Sequence, residues 1–190
     1  LPPGYDVHAC AWARPAERDK KVAALIGSRP VLSDRPLAGE LPLPAEILDL
    51  KRVLSGPEIE RYREVGRLAA EAMLATLRQA EPDWTEQTLA GVGAQALWAR
   101  GLHPALTLAA GSRRVQIYRH PTAQQAQLGD FAMLVFCARG YGLYANLTRF
   151  VIFKPLGEAL LQRHRDVAAI EANPLDACKD GVTLKDVYQT

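Results

Sequence analysis

GDFAMLVFCARGYGLYANLTRFVIF, Gly129 to Phe153, reads as two strands joined by a tight turn. Phe131 to Ala138 is an unbroken apolar run, rich in strand formers and too short to span a membrane. Such a run suits a strand covered on both faces. Arg139-Gly140-Tyr141-Gly142 supplies the turn, where glycine can take positive φ. The return strand runs to Phe153. Alternation puts Leu143, Ala145, Leu147 and Arg149 on one face and Tyr144, Asn146, Thr148 and Phe150 on the other.

Outward from this hairpin, helices precede and follow it. Ser55 to Glu58 is a capping box that starts a helix to about Ala80. Ile59, Tyr62, Gly66, Ala69, Met73 and Leu77 share its expected core stripe, with Gly66 permitting close packing. Glu86 to Arg100 is a second amphipathic helix, with Leu89, Val92, Ala96 and Leu97 inward and Gly101 as its stop. Leu106–Ala110 is a short strand, Gly111–Arg114 a turn, and Val115–Tyr118 a further expected strand. After the hairpin, Leu156 to Ala172 reads as a helix with Leu160, Leu161, His164, Val167 and Ala168 inward. Asn173-Pro174 is expected to stop it. Thr183 and Asp186 cap the last helix.

Residues 1–44 differ from the rest. They hold seven of the 13 prolines. A helix is expected from Pro15 to Ile26 and a strand at Val31–Ser33. Leu41-Pro42-Leu43-Pro44 reads as an extended linker, unsuited to a helix or a central strand. This places a domain boundary near Leu43–Glu46. The chain opens without Met and closes at Gln189-Thr190, just inside a new helix, so a fragment is expected.

Composition is that of an ordinary globular chain of 190 residues, 48% hydrophobic and 23% charged. The net charge of +2 selects no partner, and neither nucleic acid nor a membrane is expected. The charge is uneven. Gly111 to Arg165 carries eight Lys or Arg against Asp130 and Glu158, a local balance of +6. That bias is either a solvated face or a cleft for a carboxylate. Cys10, Cys137 and Cys178 are odd in number and lack any CxxC spacing. They suggest a reducing, cytoplasmic setting and no disulfide framework.

The hairpin string also resembles the central hairpin of the creatinase/aminopeptidase family. This is the pita-bread fold of methionine and Xaa-Pro aminopeptidases, prolidases and creatinase. Lys51–Ile59, Thr85-Glu86-Gln87-Thr88-Leu89 and the Gly181–Asp186 helix start fall in the family's order around it. The resemblance covers about Leu50 to Thr190. It implies an α+β chain holding the first half of a pita-bread domain (45–190, incomplete at its C-terminus). Residues 1–44 would then be the end of an N-terminal domain plus a Pro-rich linker.

The same resemblance frames the site. Metal-dependent members carry two aspartates in this hairpin that ligate a pair of divalent cations. The matching positions here are Val135 and Asn146, eleven apart as in the family. The family's remaining ligands, one His and two Glu, fall beyond Thr190. Paired cations need anionic oxygens to offset their repulsion. Val135 has no donor atom and Asn146 one neutral carbonyl, so no metal and no other cofactor is expected. His120, nine residues before Gly129, matches a family His that binds or protonates substrate and that serves as acid/base in metal-free creatinase. An imidazole suits that task near neutral pH. Arg119, Arg149 and Tyr144 are candidate contacts for a peptide or small carboxylate ligand. Three functions are implied. One is an Xaa-Pro aminopeptidase- or prolidase-like protein without metal-dependent activity. Another is a metal-free hydrolase using His120. The third is a non-catalytic binding module, as in histone-chaperone subunits that reuse the fold. The creatinase and prolidase branch implies a homodimer.

Overall fold

The computed structural model describes residues 3–50 and 52–189. Its contacts divide the chain into two units, Leu1–Ser55 and Gly56–Thr190. The first unit contains α1 (Pro15–Ile26), β1 (Leu32–Ser33), β2 (Leu41–Pro42) and α2 (Ala45–Leu50). The proline-rich segment, read as a linker, contributes the two-residue strand β2, parallel to β1. The Leu41 N–H donates to Val31 O at 2.9 Å and the Leu43 N–H to Ser33 O at 3.1 Å. Pro42, which has no N–H, falls between the two donors, as a strand proline must.

The second unit contains α3 (Gly56–Arg78), α4 (Glu86–Trp98), β3 (His103–Gly111), β4 (Phe131–Gly140), β5 (Leu143–Ile152), α5 (Glu158–Ala177) and α6 (Leu184–Tyr188). The strands form one antiparallel sheet in the order β3-β4-β5. The hairpin expected from the sequence is β4–β5, and its turn is Tyr141-Gly142, with Gly142 at φ 78°. The chain is therefore α+β.

The two faces of the sheet differ. Ala132, Leu134, Phe136 and Ala138 of β4 are wholly buried. They form the core with Val65, Ala69, Ala72 and Met73 of α3 and Leu89 and Leu97 of α4. On the opposite face, Phe131 and Met133 are buried, but Val135 and Cys137 are only half-buried. The cover on both faces expected of this strand is complete only on the helix side.

Four other expectations are corrected. The core stripe of α3 is Val65, Ala69, Ala72, Met73 and Thr76, while Ile59 and Tyr62 are exposed. Full burial begins at Val65, which lies against Gly140 at the end of β4. Gly66 faces open space, and a Cβ there would meet nothing within 4 Å. Val115–Tyr118 is not a strand. The N–H groups of Val115 and Tyr118 donate back to Gly111 O and Arg114 O, which coils this segment into turns. Finally, α5 runs through Pro174 to Ala177. Its inward face is thinner than the pattern implied: Leu160 and Leu161 are half-buried, while His164, Val167 and Ala168 are exposed. Phe150 of β5 meets the His164 ring edge-on, with centroids 6.2 Å apart, and still leaves it exposed. The expected caps of the last helix are present, with Thr183 and Asp186 bonding each other reciprocally.

Candidate functional site

The site face of the hairpin follows from its register. Val135 pairs with Thr148, and Cys137 pairs with Asn146. Directly paired residues share a face, so Val135, Cys137, Asn146 and Thr148 line one patch, with Tyr144 beyond Asn146. Leu108 of β3, opposite Val135, completes it. The patch offers an amide, a hydroxyl, a thiol and a phenol, but no carboxylate. Among the described residues, no three His, Cys, Asp or Glu side chains group closely enough to hold a metal ion. The residues present do not fit a centre of two divalent cations.

Arg149 pairs with Leu134 and so points to the other face. There it lines a surface hollow with Met73, Leu74 and Leu77 of α3, and it donates to Thr148 O at 2.7 Å. The structure thus separates Arg149 from Tyr144. Arg119 and His120 are exposed on the loop between β3 and β4. Neither is bonded to the hairpin residues among the described contacts.

That loop is nonetheless tightly held. Pro121, next to His120, is fully buried. The first N–H groups of α4 lack partners within the helix. Two are satisfied from the loop: Glu86 N–H donates to Ala126 O at 2.9 Å and Gln87 N–H to Gln124 O at 3.1 Å. The Glu86 side chain, 0% exposed, reaches back. Its carboxylate accepts the N–H groups of Gly111 and Gln124, each at 2.9 Å, and pairs with Arg114. Arg114 also donates to Thr122 O at 3.1 Å. Further along, Leu128 N–H donates to Trp84 O and Ser112 N–H to Leu128 O, each at 2.9 Å. Sequence reasoning saw Glu86 only as a helix start and Arg114 only as one turn cation. Their pairing across 28 residues leaves no periodic signal.

Comparison with known proteins bears on the family and the fold. A model described as metallopeptidase family M24 matches residues 60–190. Solved structures share the fold at low identity. An X-Pro aminopeptidase from Thermotoga maritima superposes with TM-score 0.76 at 18% identity, covering 96% of this chain and 56% of its own. An Xaa-Pro dipeptidase from Bacillus anthracis gives TM-score 0.78 at 16% identity, with 97% and 57% covered. A prolidase from Pyrococcus furiosus gives 0.68 at 20% identity, with 75% and 43% covered. The chain therefore spans about half the length of these proteins. No individually curated protein matches it. The pita-bread architecture expected from the hairpin is the one these structures share.

Proposed function

This chain belongs to metallopeptidase family M24, and from that premise we propose a peptide- or carboxylate-binding, prolidase-like protein that does not hydrolyse peptides through a metal pair. One observation carries the reading. The hairpin face that would present two carboxylates presents Val135 and Asn146 instead, paired across from Thr148 and Cys137. A cation there would shed water and gain a single dipole. Metal chemistry would need that site, so no step is assigned to it. Binding falls to Tyr144, Arg119 and His120, within a segment of positive balance suited to a carboxylate.

The test is elemental analysis of the full-length protein after dialysis against manganese, cobalt or zinc. No stoichiometric metal should remain. One or more ions per chain, placed at the hairpin by anomalous scattering, overturns the reading.

A metal-free hydrolase with His120 as acid/base is the second reading. It is favoured by the exposure of His120 on a segment pinned by buried Pro121. A screen of Xaa-Pro dipeptides and small carboxylates in excess chelator separates the two readings. The proposal extends to a homodimer in a reducing, cytoplasmic setting. Exposed Phe150, Ile152 and Val167 support self-association, and three free cysteines support the compartment. Among the described residues, no helix is long and apolar enough to cross a membrane. A clean monomer in light scattering at micromolar concentration counts against the dimer.

A further inference from the structure

We propose that Glu86 is a positioning residue for His120, acting through a clamp of Glu86, Arg114 and the backbone of residues 121–126. Its relevance to ligand binding rests on the His120 reading above, but the clamp itself is read from geometry. A carboxylate wholly out of water needs its lone pairs filled. Here it takes two backbone N–H groups and one guanidinium. One of those N–H groups belongs to Gln124, four residues past His120. The guanidinium passes the restraint on to Thr122 O, two residues past His120. The other N–H belongs to Gly111, at the end of β3. A Cβ on Gly111 would stand 2.4 Å from Gln127 O, so strand end and loop are in direct backbone contact. One buried side chain therefore ties the start of α4, the end of β3 and the His120 loop together. The carboxylate also stands at the N-terminal end of α4, where negative charge is favoured. His120 is exposed, so its ring has no packing of its own to order it. Order must reach it from its neighbours.

Glu86→Gln tests this. The amide is neutral and has one acceptor oxygen, so it cannot hold all three donors. Arg114→Gln is the gentler variant, because Glu86 then keeps both backbone N–H bonds. Both are made in the full-length protein and read by NMR without ligand. The His120 ring should gain fast motion in each variant. The Gln124 amide in Glu86→Gln should exchange at least about tenfold faster, the factor for losing a bond to a charged acceptor. Amides of β4 and α3 should keep their protection. A His120 ring as ordered as in the wild type overturns the proposal. So does protection lost evenly across β4 and α3, which would make Glu86 a core residue only. If Glu86→Gln does not fold, Arg114→Gln decides alone. The His120 reading fails separately: His120→Ala would then bind an Ala-Pro dipeptide as the wild type does, whatever the Glu86 variants show.

Discussion

Val135 and Asn146 are diagonal neighbours on one face of the β4–β5 hairpin, one residue pair apart across the pairings Val135–Thr148 and Cys137–Asn146. Such diagonal positions lie on the order of 7–8 Å apart, close enough for two side chains to share a ligand. The frame for a shared cation is present and the charges are not. Val135→Asp with Asn146→Asp should therefore create a weak manganese site that the wild type lacks. Val135 is half-buried beside Leu108, so the new acid should cost about 1–3 kcal/mol without metal. Asn146 is exposed, and its change alone should stay within about 0.5 kcal/mol. Thermal melts with and without manganese check this. The double variant should gain melting temperature with metal while the wild type does not; an equal gain in both defeats the donor argument.

Two glycines on neighbouring helices should respond in opposite directions to alanine. A Cβ at Gly93 of α4 would stand 2.7 Å from Phe136 Cε1, and Phe136 is wholly buried with no room to turn. Gly93→Ala should cost about 1–3 kcal/mol by overpacking. Gly66 lies inside α3 with nothing within 4 Å of its missing Cβ. Gly66→Ala should stabilise by about 0.5–1 kcal/mol through helix propensity alone. Urea unfolding of both variants measures the contrast. A destabilised Gly66→Ala would mean that α3 is approached there after all.

The contrast between these glycines also shows what the sequence could tell. Periodicity located the hairpin, α3 and α4, because burial on one face imposes a period on the residues. It could not say where along α3 the cover begins, so the expected stripe starts nearly two turns too early, at Ile59 and Tyr62. Turn residues fix the hairpin's register, while Val135 and Asn146 stand out in it only through the family resemblance. The Glu86–Arg114 pair was invisible for a different reason. It joins a helix start to a loop far along the chain, and neither residue repeats anything. Pro174 reads as a stop because proline lacks an N–H and crowds the carbonyl four residues back, yet α5 continues three residues past it to Ala177.

His120 offers a separation of stability from function. Its side chain is exposed, while Pro121 beside it is buried. His120→Ala should shift stability by no more than about 0.5 kcal/mol, as surface changes do. If the protein hydrolyses a small substrate in chelator, the same variant should lose that activity. Full turnover by His120→Ala would remove this residue from the mechanism.

The last helix should be acid-sensitive, and the sign follows from its cap. The Thr183 hydroxyl, at 2.6 Å, and the Thr183 N–H, at 3.0 Å, both donate to Asp186 Oδ2. These bonds favour the ionised form and hold the Asp186 carboxyl below its ordinary value of 3.8, with the hydroxyl the larger cause. A folded-state value below the unfolded one means that the cap stabilises the helix fully above the unfolded value. That contribution is lost as pH falls through the unfolded value and then the folded one. Asp186 is exposed, so the effect is local to α6 rather than global. The Asp186 and Val187 amides should therefore lose helical chemical shifts as pH drops below about 4, while β4 amides hold theirs. Thr183→Val, which keeps the side-chain shape and removes the hydroxyl, should move the midpoint of that loss upward. An α6 equally helical at pH 7 and at pH 2 would show that the cap does not hold it.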